Sequence, residues 1–110
     1  MESGSTIAPL VALNRMVQIG AHVLVNVGAN LSHDVVVGDF VTIGPRCAVA
    51  GGTSIGPESF LGIGATVLGC LRIGTGAYIA AGAVVVDDVP DGALVMGVPA
   101  RVVPRRAGLA

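Results

Sequence analysis

Lysine and tryptophan are absent from this 110-residue chain, and aromatic residues make up only 3% of it, two Phe and one Tyr. Charged residues are scarce at 12%, with six arginines against seven acids and a formal net charge of -1. That balance excludes the broad basic footprint by which proteins hold nucleic acid. The longest apolar runs, such as YIAAGAVVV from Tyr78, are broken by Gly and fall far short of the ~20 residues that span a bilayer, so no membrane segment is expected. The opening MESGSTIAPL has an acid where a secretory signal carries positive charge, which points to a cytoplasmic protein. Only two cysteines occur, Cys47 and Cys70. They match no metal-ligand spacing and form no disulfide framework, so both read as reduced thiols.

What the chain has in excess is small and aliphatic: 53% hydrophobic residues and seventeen glycines. Its length suits one domain with a modest core. A monomer of this size cannot hide so much apolar surface, and part of it is expected to meet other subunits.

A period of six organises the sequence. Stepping from Ile7 by six gives Leu13, Ile19, Val25, Leu31, Val37, Ile43, Val49, Ile55, Leu61, Val67, Ile73, Ile79 and Val85, all aliphatic and without a break. Four residues after each stands a small or β-branched residue, except at Leu71, and the position just after the aliphatic is often Gly. Neither a 3.6-residue helix nor a plain alternating strand gives this pattern; short strands with a bend every six residues do. Two side chains per hexapeptide then point inward, and Gly near the bend is expected to supply unusual backbone conformations.

The chain resembles the hexapeptide-repeat acyltransferases, and that resemblance implies an all-β, left-handed parallel β-helix with three hexapeptides per coil. Residues eighteen apart then stack, giving about five triangular coils over residues 7–90 and a C-terminal loop and cap over 91–110, within one domain, 1–110. The outward column Leu24, Thr42, Phe60 and Tyr78 is large and mostly apolar. It reads either as scattered surface residues or as a subunit contact, and the resemblance implies a homotrimer with sites between subunits.

One of the two histidines, His33, is followed at once by Asp34 at a bend. A corner His reads as a solvated residue or as a base whose tautomer Asp34 fixes. Stacking by eighteen puts Gly51 above it, with a backbone amide able to face an oxyanion; the same Gly reads equally as a bend residue.

The phrases NVGANLSHDVVVGDFVTIGP, VAGGTSIG and GVPARVV look most like the sugar acetyltransferase branch, which includes nucleotide 4-amino-sugar N-acetyltransferases and sialic acid O-acetyltransferases. The resemblance implies acetyl-CoA as co-substrate, a sugar acceptor, His33 as general base, Asp34 as its partner acid and Asn26 in the active site. It further implies cofactor contacts from Thr42, Ile63 and Ala81, and from Arg101 to a phosphate. Because the repeat begins by Ile7, the N-terminal nucleotide-sugar-binding domain of such relatives is expected to be absent. Cys47 is expected in the interior and Cys70 on a corner unrelated to His33, which argues for direct transfer without a covalent intermediate.

Two other classes compete. A γ-type carbonic anhydrase shares the architecture but needs three His around zinc, and His22 and His33 fall on different corners, so no metal is expected. A non-catalytic scaffold, or a remnant module that only binds acetyl-CoA, needs no base at all.

Overall fold

Extended pairs of residues separated by bends are what the six-residue rhythm dictates, and the chain folds that way. A computed structural model describes residues 4–105; residues 1–3 and 106–110, the ends of the expected domain and cap, lie outside the described residues. Among the described residues sixteen strands, β1–β16, succeed one another.

The first fourteen strands sort into three parallel ladders. Face A stacks β1 (Thr6–Ile7), β4 (Leu24–Val25), β7 (Thr42–Ile43), β10 (Phe60–Leu61) and β13 (Tyr78–Ile79). Face B stacks β2 (Ala12–Leu13), β5 (Asn30–Leu31), β8 (Ala48–Val49), β11 (Thr66–Val67) and β14 (Val84–Val85). Face C stacks β3 (Gln18–Ile19), β6 (Val36–Val37), β9 (Ser54–Ile55) and β12 (Arg72–Ile73). Partners are eighteen residues apart throughout these ladders, as in Leu24↔Thr42, Asn30↔Ala48 and Val36↔Ser54. The result is the expected left-handed, three-sided parallel β-helix of about five coils. Among the described residues no helix is long and apolar enough to cross a membrane.

Both inward positions of the repeat lie where the sequence places them. The aliphatic ladder Val25, Ile43, Leu61 and Ile79 is fully buried, and so are Leu31, Val49 and Val67 on the next face. Each such side chain contributes roughly 1.5–3 kcal/mol of apolar burial. The second inward position holds Val23, Val41, Ala65 and Ala83, and also Cys47, Thr53 and Ser59. Those three polar groups donate to corner carbonyls fifteen residues on: Cys47 Sγ to Gly62 O at 3.0 Å, Thr53 Oγ1 to Leu68 O at 2.7 Å and Ser59 Oγ to Gly74 O at 2.7 Å. A small polar residue is tolerated inside because a carbonyl is within its reach.

The corners correct one expectation. Glycines just after the aliphatic position are not where the backbone turns left-handed. Positive φ falls two residues later, in every coil, and eight of those residues are not Gly, among them His22 (φ 55), Asp34 (φ 61), Arg46 (φ 57) and Cys70 (φ 59). Gly62 serves a different need, since a Cβ there would lie 2.6 Å from the Ala81 amide nitrogen of the next coil. Close approach of successive backbones, rather than conformational freedom, demands glycine at that position.

The two ends differ. At the C-terminal end β15 (Leu94–Gly97) continues face A and turns back as β16 (Ala100–Val103), an antiparallel hairpin with Val95↔Val102 and Met96↔Arg101 in register. Leu94 and Val95 are buried beneath it, so the expected cap is a hairpin. Just past the hairpin, Arg105 fastens the chain to the prism, donating from Nη1 to Gly76 O at 2.9 Å and Gly92 O at 3.0 Å with its guanidinium over the Tyr78 ring. In the first coil, by contrast, Leu10 is 85% exposed and Leu13 and Met16 are open to solvent.

The two kinds of corner glycine separate in a stability measurement. Gly64 has φ +70 and open space where a Cβ would go, so Gly64→Ala should cost about 1–2 kcal/mol of left-handed strain. Gly62→Ala drives a Cβ into backbone and should cost more than the roughly 1–3 kcal/mol of an overpacked core. Urea unfolding of both variants tests this; a larger loss at Gly64 would contradict the close-approach explanation.

Candidate active site

Three corners run the length of the prism, one after each face. The first gathers residues 26–28, 44–46, 62–64 and 80–82; the second 32–34, 50–52 and 68–70; the third 20–22, 38–40, 56–58 and 74–76. Each side chain that the sequence singles out falls on or near one of them.

His33 and Asp34 sit on the second corner, between β5 and β6. The backbone there is pinned from both sides: Asp34 N–H donates to Arg15 O in the coil below, and His33 O accepts from Gly52 N–H in the coil above, both at 3.0 Å. With the main chain so engaged, the two side chains project outward, 63% and 58% exposed. His33 Nδ1 lies 3.0 Å from Asp34 Oδ2. A proton on Nδ1 donated to that carboxylate leaves the lone pair on Nε2.

Nε2 faces Gly51. A Cβ on Gly51 would lie 2.6 Å from Nε2 and 2.5 Å from Cε1, so the imidazole rests directly on a bare Cα. The bend itself is taken by the next residue, Gly52, with φ +75. Gly51 is therefore not the left-handed residue of the bend, and its lack of a Cβ instead lets His33 approach. Its amide donates to no acceptor among the described residues.

Cys70 requires a correction. It belongs to the same corner as His33: Gly52 N–H bonds to His33 O, and Cys70 N–H bonds in turn to Gly51 O at 3.0 Å. Its Cα column is that of Asp34, two coils further on. At ~4.8 Å per coil the separation is about 10 Å, too far for the thiol to share an atom with the imidazole. Cys47 is buried as expected, and burial pushes its thiol pKa up, away from the thiolate that nucleophilic chemistry needs.

The remaining candidates gather around the first corner. Asn26 is half-buried, with Oδ1 accepting Val27 N–H at 2.9 Å. Ile63 is 53% exposed and Ala81 stacks above it, Ile63 O accepting Gly82 N–H at 2.9 Å. Thr42 faces outward from β7, between Leu24 and Phe60. This set does not meet His33 within one chain: six residues of near-extended backbone, about 20 Å, separate the first corner from the second. Arg101 lies on β16, where its Nη1 donates to Ala100 O at 3.1 Å. It lines a hollow of about 130 Å³ together with Asp87 and Asp88.

Charge is divided by corner in a way the sequence reading missed. Described acids stand on the second corner or its continuation (Asp34, Asp87, Asp88) and on the third (Asp39, Glu58, Asp91). The first corner has none, and its one charged side chain, Arg46, makes no ion pair among the described residues. Sorting the acids by residue number modulo eighteen was the signal that would have shown it. His22 stands on the third corner, stacked on Phe40 with ring centroids 5.1 Å apart.

Comparison with known proteins agrees with this architecture. Residues 52–87 match the family described as bacterial transferase hexapeptide (six repeats). A GDP-perosamine N-acetyltransferase mutant from Caulobacter crescentus, solved with CoA and GDP-perosamine, superposes with a TM-score of 0.83 at 34% identity, over 93% of this chain and 54% of that one. The acetyltransferase domain of PglB from Neisseria gonorrhoeae, in complex with acetyl coenzyme A, gives 0.74 at 33% identity, over 91% and 55%. Serine acetyltransferase 4 of Arabidopsis thaliana is 35% identical over 100 residues, 78% of this chain and 27% of that protein. The chain thus spans about half the length of these structures and less of the curated relative. The unbroken six-residue period, the three-faced coil and these likenesses show a hexapeptide-repeat β-helix similar to those of the hexapeptide-repeat transferases.

Proposed function

We propose that this chain is the catalytic β-helix of an acetyl-CoA-dependent acetyltransferase acting on an amino or hydroxyl group of a sugar, with His33 as general base. The observation that carries the reading is the His33 site: Nδ1 against Asp34, Nε2 against Gly51, and an unpaired Gly51 amide beside it. Relatives solved with CoA, acetyl-CoA and GDP-perosamine support the choice of co-substrate and acceptor class.

Transfer is direct. Nε2 takes the proton from the acceptor N–H or O–H as its lone pair attacks the thioester carbonyl carbon. The carbonyl electrons move onto oxygen, and the Gly51 N–H stabilises the resulting oxyanion. The tetrahedral intermediate collapses by breaking the C–S bond, and the imidazolium returns the proton to the departing thiolate. Asp34 holds the ring in the tautomer that makes this possible and offsets the charge it gains.

Acetyl-CoA would run along the first corner, over Ile63 and Ala81 with Thr42 beside them. The absence of acids there suits an anionic cofactor. Arg101 is the candidate phosphate contact, opposed by Asp87 and Asp88 at the same hollow. Because Asn26 and the cofactor groove lie about 20 Å from His33 in one chain, the complete site forms where the second corner of one subunit meets the first corner of another. A homotrimer provides three such junctions. The face A column Leu24, Thr42, Phe60 and Tyr78, with Phe60 and Tyr78 stacked at 4.8 Å, supplies an apolar contact surface for it.

Calorimetry of the purified chain with acetyl-CoA, followed by turnover assays with amino-sugar nucleotides and with serine, tests the reading. His33→Ala should lower kcat by ~10²–10⁴ with acetyl-CoA affinity unchanged. Gly51→Ala should lower kcat as well, because its Cβ evicts the imidazole. An inert wild type that binds no acetyl-CoA would favour the scaffold, and turnover of serine alone would replace the sugar as acceptor. Phe60→Asp should convert the trimer to monomer in sedimentation and abolish turnover; an unchanged mass would remove face A from the interface.

A further inference from the structure

Beside His33 lies a concavity to which none of the roles above has been given. It is a hollow of about 180 Å³ on face B, lined by Asn30, Ser32, Ala48, Ala50, Thr66 and Leu68. The ladder explains its shape: Asn30, Ala48 and Thr66 are the outward residues of β5, β8 and β11, in register one above another. Alanine in the middle of that column leaves a dip between two longer side chains. Its edge is the second corner, where Ser32 precedes His33 and Ala50 precedes Gly51, so the base stands at the rim.

The polar groups around the dip are largely uncommitted to protein partners. Ser32 Oγ and Thr66 Oγ1 make no hydrogen bond among the described residues, and Asn30 uses only Oδ1, accepting from Asn14 Nδ2 at 3.2 Å, which leaves its own amide hydrogens free. The inward hydroxyls of Thr53 and Ser59 are bonded to carbonyls, whereas Ser32 and Thr66 face outward, as Thr42 and Ser54 do, and are open to a ligand. Two hydroxyls and an amide thus surround a floor of alanine methyl groups, and no charged side chain lines the hollow.

We propose that this hollow binds the sugar ring of the acceptor and presents its amine or hydroxyl to Nε2 of His33. Uncharged donors and acceptors around a small apolar floor match a neutral ring with hydroxyls at its edge and C–H groups on its face. An amino acid would bring a carboxylate as well, for which the lining has no cationic partner. The volume decides how much of the acceptor enters. It lies below the ~300 Å³ at which pockets begin to enclose whole drug-sized ligands, so one ring fits and a nucleotide attached to it stays outside. The inference rests on the acetyltransferase reading for its last step, presentation to the base, but the ring site itself is measurable without acetyl-CoA.

Calorimetry on the full chain with GDP-perosamine, without and then with acetyl-CoA, provides the test. Ala48→Leu fills the dip from an outward position without touching the core, and should weaken sugar-nucleotide binding at least about ten-fold. Thr66→Val keeps the shape but removes a hydroxyl, and should weaken it about three- to ten-fold. Acetyl-CoA affinity and thermal midpoint should stay at wild-type values in both. Unchanged sugar affinity in Ala48→Leu, or no sugar binding by the wild type, overturns the ring site while leaving acetyl-CoA transfer intact. Loss of acetyl-CoA affinity in step with sugar affinity also overturns it, by assigning the hollow to the cofactor. A wild type that binds the sugar nucleotide but not acetyl-CoA would keep the ring site and remove the transferase.

Discussion

Everything in this molecule hangs on the hydrogen bonds between one coil and the next. Residues eighteen positions apart stand in register, and the coils bond to one another through their neighbours, seventeen apart on the faces and nineteen apart at the corners. This constraint is stricter than sheet pairing in an ordinary fold, because a slip of one residue on any face would turn aliphatic side chains out and corner residues in. It also brings backbones close enough at the bends that a Cβ at Gly38, Gly44, Gly56 or Gly62 would meet main-chain atoms at 2.6–2.9 Å. The same closeness makes His33 lie on Gly51. Packing and candidate chemistry are thus consequences of a single register.

That register is also why so much was legible beforehand. Fourteen aliphatic residues at a spacing of six fixed the inward ladder, and multiples of eighteen gave the columns, so Ile63 over Ala81 and Gly51 over His33 followed without coordinates. What escaped reading depended on atoms the period does not describe. Glycine is ambiguous in a sequence, since left-handed φ and backbone crowding call for the same residue; only the structure separates Gly64 from Gly62. Cys70 was misplaced by arithmetic rather than by physics, for its distance from Asp34 is twice eighteen. Arg105 lies beyond the repeat, and nothing periodic connects it to Tyr78. That the inward hydroxyls of Thr53 and Ser59 find a carbonyl fifteen residues on is likewise something the period does not show.

A prism with a filled interior has nowhere inside to put a ligand. Its inward positions are occupied by aliphatic groups or by hydroxyls and a thiol that are already bonded, so binding must use the outside. On a flat face a two-residue strand offers only one outward side chain per coil, and a pocket arises only where that column varies in size. Face A fills its column with Leu24, Phe60 and Tyr78 and so offers a surface; face B interrupts its column at Ala48 and so offers a hollow. Corners add reach, because their side chains stand clear of both neighbouring faces.

The division of charge comes from the same geometry. Corners are the places where this chain spends its few ionisable groups, and it spends them unevenly: acids on the second and third, a lone arginine on the first. If prisms associate side by side, the acid-free edge of one meets the edge that carries His33 and Asp34 on another. An anionic co-substrate would then lie along the first edge while the base acts from the second, and each would keep the electrostatic surroundings it needs. A rigid rod cannot close around its ligands as a hinged enzyme does. In such a molecule assembly takes the place of closure, and the separation of His33 from Asn26 and Ile63 is the structural reason that a single chain carries only half of each proposed site.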